Sequence, residues 1–327
     1  MRHPRIVVAA VTCVALLLTV HAASAADAKV SGPSDPDFKI QGEYSGKIKT
    51  PNSESKAGAQ IISLGNGRFH VVGYPTGGLP GDGWDGTVRH EHDGELKDGI
   101  VRFAGEPNRG ELKDGVLRVL SPSDEVIAEL TKVERKSPTL GAKPPEGAVV
   151  LFDGTSAKEF EPGKMSDDGL LMAGATSKRK FQSCQLHVEF LLPFMPEARG
   201  QGRGNSGCYL QGRYEVQMLD SFGLKGENNE CGGIYSIKAP DVNMCFPPLS
   251  WQTYDIDYTA AKFDGGKKVQ DATISVKHNG VPIHKDVALP HITTAAPVPE
   301  GPEAGPIYLQ DHGNPVRYRN IWLVEKP

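Results

Sequence analysis

The sequence predicts an all-β protein, a small β-meander domain followed by a larger β-sandwich or jelly roll. Thirty-eight glycines and twenty-five prolines among 327 residues place turns too densely for long helices. Short runs with period-two apolar alternation recur from Phe38 to Glu325, separated by turn residues. Between these runs no segment carries a helix-length 3.6-residue pattern, and seven or more of them fall after Val149, enough for two packed sheets. The formal net charge of −4 and the lack of a basic stripe argue against a nucleic-acid partner.

The chain opens with Arg2 and Arg5, an apolar run from Ile6 to Val20, and the small-residue site Ala23-Ser24-Ala25. This is the pattern of a secretory signal peptide over residues 1–25, so the mature protein is expected to be secreted or periplasmic. The apolar run is short for a membrane span, and no later segment is long and apolar enough to be one. Beyond Cys13, within that run, come Cys184, Cys208, Cys231 and Cys245. An even number in an exported chain reads as disulfides. Cys231 with Cys245 is the expected pair, because they bracket a Gly/Pro-rich loop that has little apolar content of its own to hold it. No CxxC spacing supports a metal site at these cysteines.

Residues 26–37 read as a flexible leader, small and polar. Residues 38–135 read as the small all-β domain: FKIQGEYSGKI, AQIISLG, RFHVVGY and TVRHEHDGEL are strand-like, and GELKDGIVRFAG at Gly94 recurs as GELKDGVLRVLS at Gly110, each copy a hairpin about an Asp-Gly turn. His90 and His92 share one strand face. The turn-rich LPGDGWDG segment, with Trp84 and two aspartates, reads as a rigid structural loop pinned by Trp84 or, as the alternative, a calcium or sugar loop. Lys136 to Ala148 contains two X-Pro sites and reads as a stiff, exposed Pro/Gly linker over residues 136–148. Residues 149–327 form the second domain. The loops Pro193 to Gly204 and Phe222 to Ser250 are long for a compact sandwich; the first serves as a lid over a polar substrate or as a flexible connector.

Within the second domain the stretch NSGCYLQGRYEVQMLD, Asn205 to Asp220, carries the chemistry. It reads as a hairpin turning at Gly212-Arg213. Tyr209, Gln211, Glu215 and Gln217 fall on one face, with Cys208, Leu210, Val216 and Met218 on the other. An aromatic ring, two amides and a carboxylate on a solvent-facing sheet surface bind and orient hydroxyls, so carbohydrate is the expected ligand. On the other strands of this domain Leu186, Val188, Phe190 and Leu192 point inward with His187 and Glu189 outward, and Tyr308, Gln310 and His312 alternate against Ile307 and Leu309.

Several segments resemble the 3-keto-glycoside lyase/hydratase family, also called 3-keto-disaccharide hydrolases. These are LFDG at Leu151, GNSGCYLQGRYEVQMLDS from Gly204 to Ser221, CGGIY at Cys231, WQTYDI at Trp251, HNG at His278, and LQDHGNPVRYRNIWL from Leu309 to Leu323. The resemblance covers Val149 to Pro327, and the hairpin and the last segment are its specific parts. It implies a concanavalin-like jelly roll and an enzyme that cleaves 3-keto-glycosides by C2 proton abstraction, elimination at C1 and hydration. That chemistry needs a base titrating near neutrality and a donor or cation facing the enolate oxygen, not two carboxylates across the glycosidic bond.

His312 is the first choice for the base, since imidazole titrates in the needed range and its strand places Gln310 alongside it, with Glu215 the competing base or metal ligand. Otherwise His312 is a loop histidine, and Glu215 a partner for Arg213 or Arg319. Substrate contacts are expected from Glu189, Tyr209, Gln211, Arg213, Gln217, Trp251, Gln310 and Arg317. Glu215, Asp220 and Asp311 are the oxygen ligands on offer for a divalent cation (Ca, Mg or Mn), without a spacing motif behind them. His278 shares the parity of Ile274 and Val276 and is expected to be buried. Two further readings stand beside the lyase: a conventional two-carboxylate glycosidase pairing Glu189 with Glu215, and a non-catalytic carbohydrate-binding jelly roll. The oxidised substrate requires a companion sugar oxidoreductase.

Overall fold

The computed structural model describes residues 29–50 and 53–326; the signal segment and Cys13 lie outside the described residues. Among the described residues the chain is all-β with one short α-helix, α1 (Pro36–Ile40), and a 3-10 turn at Gly200–Gly202. The first domain is built from β1 (Gly42–Thr50), β2 (Ser53–Gly65), β3 (Arg68–Tyr74), β4 (His90–Lys97), β5 (Ile100–Phe103), β6 (Arg109–Lys113), β7 (Val116–Leu120) and β8 (Val126–Val133). Each strand pairs with the next, and β1 also pairs with β8, so the meander closes into an eight-stranded barrel. Closure removes both sheet edges. The repeated Asp-Gly dipeptides do what their chemistry demands: Asp98-Gly99 and Asp114-Gly115 both take positive φ at the β4–β5 and β6–β7 turns. Tyr44, Ile61, Phe69, Val101 and Leu112 fill the interior.

The second domain contains β9 (Val149–Phe152), β10 (Phe160–Glu161), β11 (Leu171–Met172), β12 (Ala175–Phe181), β13 (Cys184–Leu191), β14 (Ser206–Leu210), β15 (Tyr214–Met218), β16 (Trp251–Thr259), β17 (Lys262–Asp264), β18 (Lys267–Gln270), β19 (Ala272–His278), β20 (Val281–Leu289), β21 (Gly305–Leu309) and β22 (Arg317–Glu325). Two antiparallel sheets face each other. One runs β10-β12-β21-β14-β15; the other runs β11-β22-β13-β16-β19-β20, with β9 also on β22, and β17 and β18 form a separate ribbon. Between the sheets lie the predicted inward residues, Leu186, Val188, Phe190 and Leu192 from one and Cys208, Leu210, Val216 and Met218 from the other. His278 is fully buried there beside Gln252, 2.9 Å away, and burial pushes its imidazole down to about 3, so it stays neutral.

Four expectations change. Residues 26–37 are not a free leader where they are described: Ser31 pairs with Phe194, and the Asp37 carboxylate, 3% exposed, accepts from Ser63 Oγ and Gly67 N. The 136–148 linker is not an open spacer. Ser137 and Thr139 bond Thr253, Gly141 N donates to Glu189, and Ala142 O accepts from Asn320 and Trp322, so its first half lies on the outer face of the larger sheet. The loop after Pro193 is neither lid nor flexible connector: Arg199 and Arg203 donate to the Leu64 and Ser63 carbonyls of the barrel.

The fourth concerns the cysteines. Cys184, Cys208, Cys231 and Cys245 are all free, buried thiols. No bridge joins Cys231 to Cys245, whose side chains lie against one another beside Tyr254. The loop they bracket has a core after all, because Ile234, Met244 and Phe246 are each at most 2% exposed within the sandwich cluster. Burial of that size stabilises a loop without a cross-link.

The barrel and sandwich meet through a cluster of Ile62, Val72, Tyr74, Leu79 and Phe222. Trp84 packs on Tyr74 with ring centroids 4.9 Å apart and holds the preceding loop, as its sequence context implied. Arg135 joins Glu43 and the Pro80 carbonyl at this junction while lying over the Phe246 ring.

Candidate active site

The hairpin forms as its pattern dictates. β14 and β15 pair with Cys208 opposite Val216 and Tyr209 opposite Glu215, and Gln211, Gly212 and Arg213 make the turn. Gln211 and Gly212 both have positive φ there. The polar face nevertheless does not look into open solvent: Tyr209, Glu215 and Gln217 are 0%, 3% and 1% exposed. Two distant segments enclose them. Residues 232–235 run along β15, with Gly232 N to Gln217 O at 2.9 Å and Tyr235 N to Glu215 O at 3.2 Å, while Thr293 Oγ1 accepts from Glu215 N at 3.0 Å.

Glu215 is therefore a buried carboxylate with one partner. Tyr209 Oη donates to its Oε2 at 2.8 Å; its Oε1 has no hydrogen-bond partner. Burial pushes the carboxyl up to about 7, only partly offset by the Tyr209 hydrogen bond. The carboxylate lies across Gly207, where a methyl group would meet Oε1 at 2.0 Å. This is a position where only glycine lets a side chain approach the backbone so closely. Gln310 Nε2 contacts Tyr209 Oη at 3.3 Å, Tyr308 packs its ring 5.4 Å from that of Tyr209, and Gln217 faces Gln201. Tyr308 and Gln310 are only half-buried and form the accessible margin of the group. A raised carboxyl acid-base centre, a phenol and two primary amides can abstract a proton from a polyhydroxylated ligand and orient its hydroxyls.

Residues 147–324, more than half of the chain, match the family model described as 3-keto-alpha-glucoside-1,2-lyase-like domain. The chain belongs to this family. A crystal structure of a "putative glycosyl hydrolase" from Parabacteroides distasonis ATCC 8503 is 34% identical, with 56% of this chain and 85% of that one covered and a TM-score of 0.50. A second protein from the same organism, with the same description, is 18% identical over 56% of this chain and 95% of its own, at a TM-score of 0.39. No curated protein matches.

Of the residues singled out in the sequence of this lyase-like domain, Tyr209, Glu215, Gln217 and Gln310 come together. The others do not join them. Glu189, Trp251 and Arg317 sit on the larger sheet, the opposite layer of the sandwich, so Glu189 and Glu215 do not face the same way. Glu189 is ion-paired to Arg319 at 2.7 Å, bonded to Asn320 at 2.8 Å, and held down at about 2 despite its burial. Arg319 in turn covers the Trp251 ring at 3.9 Å. Gln211 and Arg213 are buried in the turn. Gln211 bonds Phe181 O and Tyr258 Oη, and Arg213 holds the carbonyls of Pro299 and Glu303. Glu215 pairs with neither Arg213 nor Arg319.

His312 lies beyond the end of β21, exposed on a loop rather than on a strand. The three oxygens named for a cation do not converge: Asp220 is buried against Arg203 at 2.6 Å, Asp311 is exposed and caps Gly313 N, and Glu215 faces Tyr209. Among the described residues no cluster of three or more His, Cys, Asp or Glu side chains is placed to hold a metal ion. Sequence reasoning missed Thr293, Tyr235 and Gln201, which enter from loops with no periodic signal. It also missed Gly207, although an isolated glycine inside a strand pattern was a usable sign of close approach.

Proposed function

We propose that this protein is an exported carbohydrate-active enzyme that cleaves 3-keto-glycosides, with Glu215 as the base. The single observation that carries the proposal is a buried carboxylate raised to about 7 by desolvation, one oxygen unpartnered, on a face that also offers a phenol and amides. Near neutral pH such a group is ionised often enough to accept a proton and is a far stronger base than an exposed glutamate.

A sugar oxidised at C3 has an acidified C2–H bond. Glu215 takes that proton, the C–H pair becomes the enolate, and collapse of the enolate expels the C1 substituent with its bonding pair on oxygen, which takes up the proton from Glu215 and regenerates the base. Water adding across the resulting C1–C2 double bond returns a proton to C2 and a hydroxyl to C1, so the sum is hydrolysis. Tyr209, fixed by Glu215 and Gln310, and the amides of Gln217 and Gln310 orient the sugar. Position favours Glu215 over His312 as the base, since Glu215 lies within the Tyr209–Gln217–Gln310 group while His312 is exposed on the loop beyond β21. The isolation of Glu189 on the other sheet speaks against a paired-carboxylate glycosidase, which needs its two groups facing each other across the bond. Export rests on the pattern of residues 1–25, and the oxidised substrate is to be supplied by an oxidoreductase acting at C3.

The test compares p-nitrophenyl 3-keto-glucoside with its unoxidised parent. Nitrophenol release from the keto sugar alone is expected. Comparable release from the parent would refute the elimination route, and release from neither would reduce the site to a binding face.

A further inference from the structure

We propose that the first-domain barrel is a binding cup for a small, neutral, single-ring aromatic molecule carrying a hydroxyl or ether oxygen. Half of the barrel is filled in the ordinary way by Tyr44, Ile61, Phe69 and Leu112. Beside them the interior leaves a pocket of about 190 Å³ that opens to solvent at one side. What keeps it open is side-chain size: Ala57, Ala59, Gly73, Gly110 and Ala128, from four strands, all line it, and none reaches across. Its walls include Val71, Phe103 and Leu130, each at most 7% exposed. An eight-stranded barrel has an interior that side chains either fill or leave for one small ligand. An apolar cavity of comparable size has room for a benzene ring.

Most of the polar lining gathers at one end, where His90 is exposed and His92 adjoins the backbone at Gly105. His90 and His92, which share a face of β4, line the cavity together with the Glu106–Asn108 loop and Arg109. An imidazole can donate to a hydroxyl or ether oxygen and accept from a hydroxyl, as can the Asn108 amide. The occupant is thus apolar over its ring and polar at one end. A phenol meets that description whether free or as the aryl group of a glycoside. This site is independent of Glu215, which lies on the other domain.

Isothermal titration calorimetry of the full-length mature protein with p-cresol and, separately, with phenyl β-glucoside distinguishes the two sources. Saturable binding of p-cresol is expected, with at least about a tenfold loss of affinity in Ala59→Phe, whose ring occupies the cavity. Ala128→Leu is the second variant, should the first fail to fold, and near-UV circular dichroism reports on packing in both. Cleavage at the Glu215 site should be unchanged in either. Phenyl glucoside binding that is lost in the same variants means that the ring is taken while still attached to sugar, and binding of p-cresol alone means that the free phenol is the ligand. No saturable heat with either probe, or affinities insensitive to both folded variants, overturns the proposal.

Discussion

Replacing Glu215 with glutamine separates its role as a base from its cost as a buried charge. The folded-state pKa of about 7 lies above the ordinary 4.5. Below the ordinary value the group is protonated in both folded and unfolded chains and contributes nothing. Between 4.5 and about 7 the unfolded chain releases the proton while the folded one keeps it, so folding stability falls as pH rises. Above that window the penalty is complete, about 3 kcal/mol, because each pH unit between the two values corresponds to about 1.4 kcal/mol. Glu215→Gln has no such titration. A buried amide brings its own cost, but that offset does not vary with pH. The variant should therefore gain on the wild type by about 3 kcal/mol as pH is raised through the window, a difference of roughly 6–12 °C in melting temperature. Thermal unfolding of both proteins from about pH 4 to about pH 8.5 measures it. In parallel, kcat/KM of the wild type on a 3-keto-glucoside should rise with pH to a plateau above about 7, and the variant should fall by at least about a hundredfold at every pH. A stability difference that stays flat across pH would show that Glu215 is not raised, and the case for it as the base would go with it.

Other substitutions probe its surroundings. Tyr209→Phe removes the hydrogen bond that holds the Glu215 carboxyl down, so the rising limb of the pH–rate profile should move to higher pH, and the melting temperature should fall because a buried carboxylate loses its one partner. Gly207→Ala places a methyl 2.0 Å from Glu215 Oε1 and must displace the carboxylate, with an expected loss of about a hundredfold in kcat and a native circular dichroism spectrum. Asp220→Ala leaves the Arg203 guanidinium buried without its counter-charge, a loss of about 3–5 kcal/mol by denaturant titration. Ellman's reagent should find no reactive thiol in the native protein and four in the unfolded mature chain, since Cys184, Cys208, Cys231 and Cys245 are free and buried. A count of two would restore the bridge between Cys231 and Cys245.

Local signals along the chain set the elements and their faces. Period-two alternation put Leu186, Val188 and Phe190 into the core and His187 and Glu189 outside it, and the Asp-Gly dipeptides marked their turns, because both signals depend only on neighbours along the chain. The hairpin's inner and outer sets, Cys208 with Val216 and Tyr209 with Glu215, were readable for the same reason. Tertiary structure alone decided what lay against those faces. The outer face of the hairpin was expected to be wet, yet residues 232–235 and Thr293, distant in sequence and without periodic pattern, enclose Glu215 and raise its pKa. Glu189 has the same local pattern as Glu215, but it sits on the other sheet against Arg319, where an ion pair and three hydrogen-bonding neighbours lower its pKa instead. Closure of the meander into a barrel likewise required β8 to meet β1 across the length of the domain. A side chain's direction is a local property of the strand, whereas its protonation, partners and accessibility are set by whatever the rest of the chain packs on top of it.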